Sequence, residues 1–169
     1  TAITAVFMPR LSFYFEHDKK EFIELIRTGN NILSFITFPF AAGLFVIAPK
    51  AIELLFGNEF AGSVSIIRIL CILIVIKGFG NLLCFQLVMC TGNEKERIPA
   101  TFFGSLSNVI MNAVLIPVAS GIGAAFASVV SESIVNGYQL FKMKKRIDIQ
   151  FDEGVLLKSI FSSIVMGII

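Results

Sequence analysis

The sequence predicts an all-α fold, a polytopic transmembrane helix bundle with four complete crossings and two truncated terminal helices, and three observations carry that expectation. The composition is 56% hydrophobic and 15% charged, with a mean hydropathy of +0.84, whereas a soluble domain has about a quarter charged residues. Residues 66–90, IIRILCILIVIKGFGNLLCFQLVMC, form a predominantly apolar run of 25 residues. At about 1.5 Å per residue, a helix of that length exceeds the roughly 30 Å of hydrocarbon in a bilayer. Finally, eleven of the fourteen Lys and Arg residues gather in alternate loops.

The first segment, TAITAVFMPRLSFYF, is apolar until Pro9 and Arg10 and reads as the end of a crossing helix at the water boundary. In residues 16–27, EHDKKEFIELIR, charged residues alternate with Phe22, Ile23, Leu25 and Ile26. That pattern suits an amphipathic helix on the membrane surface or a solvated loop helix. Residues 30–48 form the first complete crossing, with Asn30, Ser34, Thr37 and Ala41 at offsets of 4, 7 and 11 on one helical face. Pro39 is expected to bend it. After Pro49, AIELLF reads as a short interfacial helix, and Gly57 and Asn58 supply a turn.

Residues 66–90 make the central crossing, with Lys77 at the middle, and TGNEKER closes it. Residues 98–118 cross next, with Thr101, Ser105, Asn108 and Asn112 at offsets of 4, 7 and 11. Pro117 ends that helix, and Ser120, Gly121 and Gly123 form an uncharged loop. Residues 122–141 cross back with Ser128, Glu132, Asn136 and Gln139 near one face, followed by KMKKR, an interfacial IDIQFDEG and a last helix from Leu156. Thr1 to Phe15 and Leu156 to Ile169 are each shorter than the ~20 residues a crossing needs. The chain is therefore expected to be a fragment of a larger membrane protein. No basic segment precedes a cleavable apolar stretch, so no signal peptide is expected.

The loops near Arg10–Arg27, Lys95–Arg97 and Lys142–Lys158 are basic, while those between them hold Lys50 alone. The positive-inside rule assigns the basic loops to the cytoplasm, in a multi-pass protein of the cytoplasmic (inner) membrane. A net charge of +2 is too small to suggest nucleic acid. Three cysteines, Cys71, Cys84 and Cys90, lie in one apolar helix and read as small apolar residues, not as a disulfide framework or metal site. His17 reads as a solvated residue in a charged loop. There is no GxxxxGK[ST] loop and no Ser-His-Asp, HExxH or CxxC arrangement. No metal, cofactor or enzymatic activity is expected.

The candidate site is built on charge at mid-membrane. An ammonium at the centre of a crossing costs about 2.5–3.5 kcal/mol on insertion scales, so Lys77 should face protein or water. Three readings compete: it binds an anion in a water-filled cavity, it pairs with Glu132, or it snorkels along a kinked helix toward an interface. Lys77, Asn81 and Cys84 share a face, and Gly78 and Gly80 favour a bend beside them. Arg68 lies nine residues earlier, on the opposite face and nearer the outer mouth.

Several stretches in order resemble the polysaccharide and O-antigen flippases, of the superfamily that also holds the multidrug and toxin extrusion antiporters and the lipid II flippases. They are MPRLS at 8–12, FP at 38–39, LLFGNEF at 54–60, Gln86 with TGNEK at 91–95, NVIMNAVLIP at 108–117, and GIGAAFAS at 121–128 leading to Glu132. The resemblance implies half of a two-lobed, alternating-access transporter, residues 1–169 being its C-terminal lobe without the N-terminal one. It implies a cargo of lipid-linked oligosaccharide on a polyprenyl pyrophosphate, with membrane lipid, the missing lobe and polysaccharide polymerases as candidate partners. Lys77 and Arg68 would then meet the pyrophosphate, Asn81, Asn108 and Asn112 the sugar hydroxyls, and Glu132 would carry a coupling proton or counter Lys77. The alternatives are a drug or cation antiporter of the same architecture, which would favour carboxylates, and a non-transporting membrane scaffold.

Overall fold

A computed structural model describes residues 2–80, 87–92 and 94–144, and the described residues form helices and short turns with no strand. The helices are α1 (Ala2–His17), α2 (Lys19–Phe56), α3 (Ser63–Phe79), α4 (Leu87–Cys90) and α5 (Arg97–Lys144). Expectations for Asn81, Cys84 and Gln86, the IDIQFDEG stretch and the last helix fall outside the described residues.

The corner between α1 and α2 is one residue wide. Asp18 is extended (φ −150°), and its carboxylate accepts the backbone N–H of Lys20 (2.9 Å) and Glu21 (3.3 Å), satisfying donors that the start of a helix leaves unpaired. His17 belongs to the last turn of α1 rather than to a loop; it is exposed, stacked on Phe13 at 4.4 Å between centroids. Residues 19–27 correct the expectation of a separate surface or loop helix, because they are the first turns of α2. Phe22 and Ile26, one turn apart, are buried with Leu11 of α1 and Val88 of α4. That contact aligns the segment with the rest of the rod.

Helix α2 also runs unbroken through Pro39 and Pro49, so the short helix expected after Pro49 is its C-terminal end. A proline removes one backbone bond, which packed neighbours can offset. Here α3 holds the axis beside Pro39, through Thr37 against Gly78 and Phe38 against Phe79 (5.7 Å), and Ala48 and Ile52 are buried on either side of Pro49. Gly57, at φ 84°, ends the helix in a backbone region that L side chains avoid.

Helix α3 returns antiparallel to α2 and packs on its other side against α5. Helix α5 departs from helical geometry at Ser120 (φ 47°, ψ −126°) and folds back there. Ser131 donates to the Gly104 carbonyl (2.8 Å), Phe103 lies against Tyr138, and Lys142 pairs with Glu96 at 3.3 Å. The arms 97–119 and 121–144 thus form an antiparallel hairpin whose tip holds the expected uncharged loop. Its second arm runs parallel to α3, since Ile66 meets Gly121 and Lys77 meets Glu132.

Polarity is arranged inside out. Asn30, Ser34, Thr37 and Ala41 are the buried face of α2, while Phe35, Phe40, Val109, Val114 and Val118 point outward. Among the described residues, two helical stretches, Lys19–Phe56 and Glu94–Lys142, are long and apolar enough to cross a membrane, and only 22% and 17% of their most apolar windows are buried. The core helix of a soluble protein would bury most of such a window. An apolar exterior, with the polar face of α2 turned toward its neighbours, is what a lipid solvent selects.

Candidate functional site

The two charges of the helical interior meet. Lys77 Nζ lies 2.7 Å from Glu132 Oε1, joining α3 to the second arm of α5. The pair sits 11 residues from the Ile66–Gly121 contact and 10 from the Glu96–Lys142 bridge. At 1.5 Å per residue both separations are about 15 Å, half the hydrocarbon thickness. The pair is not sealed: the Lys77 side chain is 58% and that of Glu132 30% exposed. An ion pair with open coordination can hold an incoming anion on its ammonium without dismantling the helices around it.

Asn136, one turn beyond Glu132, fixes the register. Its Nδ2 donates to the Ile76 carbonyl at 3.1 Å, and it packs so closely on Gly80 that a Cβ there would strike its amide. Gly78 likewise leaves room for Thr37 of α2, whose Oγ1 a Cβ would meet at 3.2 Å. These glycines therefore serve close approach on both sides of Lys77. Gly80 N–H donates to both the Ile76 and Lys77 carbonyls, so the backbone is already leaving α-helical bonding there. Asn136→Ala is expected to lower stability by about 0.6–1 kcal/mol, the typical worth of an interhelical hydrogen bond in a membrane; thermal unfolding of the purified protein in detergent measures it.

The other candidates are dispersed. Arg68 faces α2, with its guanidinium 5.0 Å from the centroid of Phe45, so it does not join Lys77. Asn81 is outside the described residues. Asn108 and Asn112 are half-buried on the first arm of α5, where Asn112 Nδ2 donates to Asn108 Oδ1 at 2.9 Å and Asn112 Oδ1 is buried without a hydrogen-bond partner among the described residues. Their stripe divides: Thr101 and Ser105 are exposed and line a cavity of about 730 Å³ at the start of α5, with Met89, Glu94, Lys95, Arg97, Ile98 and Phe102. Sequence reasoning missed that cavity and the bridging role of Asn136. The charge density of TGNEKER beside an apolar helix start was the available signal for the first.

Among the described residues, no three His, Cys, Asp or Glu side chains come together. Cys71 is buried, and Cys90 Sγ donates to the Met8 carbonyl at 3.7 Å, both as packing residues of the bundle. The arrangement offers charge and hydrogen bonds to a passing ligand and has no nucleophile poised beside a base.

A search of the curated proteins returns no match, and neither does a search of the solved structures. The family model described as the lipid II flippase MurJ matches residues 1–169. This supports the coarser part of the resemblance read from the sequence, a lipid-linked flippase of that superfamily. With a helical, lipid-adapted exterior and a charge pair halfway along its helices, the chain belongs to the lipid II flippase MurJ family of membrane transporters, and it is not an enzyme.

Proposed function

We propose that this chain is the C-terminal transmembrane lobe of a flippase that turns a polyprenyl-pyrophosphate-linked saccharide from the inner to the outer leaflet by alternating access. The observation that carries the reading is the Lys77–Glu132 contact, a cation held halfway along the bundle with its side chain 58% exposed. A pyrophosphate cannot enter hydrocarbon without compensation. Lys77 supplies a positive partner at depth, and Glu132 neutralises that partner when the cargo is absent. Asn108 and Asn112 offer neutral donors and acceptors to sugar hydroxyls. Arg68, held on Phe45 nearer the Ile66–Gly121 end, receives the anion after Lys77.

The family favours lipid II as cargo. A polysaccharide or O-antigen unit on the same carrier differs only in its glycan, so cells separately depleted of each flippase distinguish them. The full-length protein should restore growth to cells lacking their lipid II flippase and should not restore O-antigen display; the reverse result assigns it to polysaccharide export. A missing N-terminal lobe would complete the cavity, and the polymerase that consumes the flipped unit is the expected neighbour.

In this reading α2, α3 and the two arms of α5 are four crossings, with Arg27, Lys95 and Lys142 at the cytoplasmic side. Cysteines introduced at Glu59 and at Lys95 test it. An impermeant thiol reagent added to intact cells, after the outer envelope is permeabilised, should label position 59 and leave position 95 unlabelled. Equal labelling of both removes the topology.

A further inference from the structure

The cavity where α4 hands over to α5 has a chemistry that the transport pathway does not use. Its lining combines Lys95, Arg97 and Glu94 with Thr101, Ser105 and the apolar Met89, Ile98 and Phe102. Arg97, Thr101 and Ser105 follow one another at four-residue steps, so they form a polar stripe down one face of α5. Ile98 and Phe102 form an apolar stripe beside it and are 72% and 62% exposed. Glu96, which would have opposed an anion, is drawn away to Lys142 at 3.3 Å. The acidic and basic residues that remain in the lining leave a net charge of +1.

We propose that this cavity binds the headgroup of an anionic glycerophospholipid of the inner leaflet. The phosphodiester lies against Lys95 and Arg97. Thr101 is four residues further along the helix, about 6 Å deeper, where its hydroxyl donates to an ester carbonyl at the edge of the hydrocarbon. The acyl chains run over Ile98 and Phe102. Glu94 accepts hydrogen bonds from headgroup hydroxyls, such as those of phosphatidylglycerol. A soluble phosphate would satisfy the cations but leave both large apolar side chains uncovered, which is why a lipid fits the whole lining and an inorganic anion only its upper part. The start of α5 also begins the longest membrane-competent stretch of the chain, Glu94–Lys142, so headgroups are what this level of the protein meets. The site opens at the opposite end of the first α5 arm from the hairpin tip, and an occupant would hold the α4–α5 junction to the bilayer surface.

The chain contains no tryptophan, so Phe102→Trp places a reporter in the cavity, with Ile98→Trp as a second position and Val114→Trp as a lipid-facing control further along the arm. In vesicles of phosphatidylcholine with brominated phosphatidylglycerol, equal in both leaflets, quenching at 102 should exceed that expected from the bulk lipid ratio by about fivefold, as one net surface charge provides. Quenching at 114 should follow the bulk ratio. Lys95→Gln with Arg97→Gln should return position 102 to the bulk ratio. Bulk-like quenching at both 98 and 102 overturns the site, as does a preference that survives the double substitution. Displacement of the brominated lipid's preference by millimolar glycerol 3-phosphate would mean a soluble anion is the occupant, and that also overturns it. Because both leaflets are alike, the result does not depend on the orientation or cargo proposed above, and failure there is read separately by the cysteine labelling.

Discussion

Full-length protein carrying Lys77→Ala is expected to flip its lipid-linked cargo about tenfold to a hundredfold more slowly, at near-normal abundance. The range is that of losing a charge-assisted bond of about 1.5–3 kcal/mol to the pyrophosphate as it passes. Glu132 would then lack its ammonium, but its side chain is 30% exposed, which limits the cost to folding. Lys77→Arg should keep most of the rate because it keeps the charge. The exchange of Lys77→Glu with Glu132→Lys separates two roles. If the pair is only a strut, the exchange restores both abundance and flipping; if the cation must project from α3, abundance recovers and flipping does not. Flipping in reconstituted vesicles with a labelled lipid-linked substrate, beside immunoblots, makes the measurement. Normal flipping by Lys77→Ala removes this residue from the pathway.

The largest loss of stability is expected at Gly123, beside the tip of the α5 hairpin, where the other arm's backbone leaves no room for a side chain. A Cβ there would sit 2.5 Å from the Leu115 carbonyl oxygen, a backbone atom that cannot swing aside. Gly123→Val should therefore wedge the hairpin open, at about 3 kcal/mol, the upper end of overpacking costs. Thermal unfolding in detergent should fall by several degrees, and less protein should reach the membrane. Gly137, which among the described residues has nothing within 4 Å of its Cβ position, is the control: Gly137→Ala should leave the melting temperature within a degree or rise slightly, as helix propensity favours alanine. Similar losses at both positions would show that packing of the hairpin is not the cause.

Hydropathy and side-chain periodicity carried much of the architecture. The Asn30–Ala41 stripe is the buried face of α2 because membrane interiors reverse the soluble pattern, and a period of 3.6 exposes that face in the sequence. The turns at Gly57 and Ser120 were also visible, since glycine and uncharged small residues break an apolar run locally. Continuity of α2 was not. Pro39 and Pro49 each argue locally for a break, and what overrules them is packing against α3 beside Pro39 and the burial of Ala48 and Ile52 beside Pro49, tertiary contacts that no window of α2 reveals. The pairing of Lys77 with Glu132 could be posed only as one of three options, because the register between helices 55 residues apart depends on where Gly80 and Gly121 let them touch. The same reason hid the Phe45 partner of Arg68. The branch was not legible for a chemical reason: in the proposed reading the carrier pyrophosphate is shared, and the glycan that differs has no local signature in this chain.

The tip of the α5 hairpin bears on biogenesis. Between Arg97 and Glu132 there are 34 consecutive residues without an acidic or basic side chain, and Ser120 turns the chain within them. Up to Glu132 this hairpin carries no ion into the oil, where each would cost about 2.5–3.5 kcal/mol. The first arm and the tip can partition without a charge, and Glu132 on the second arm then arrives as the counter-charge of Lys77, whose crossing comes earlier in the chain.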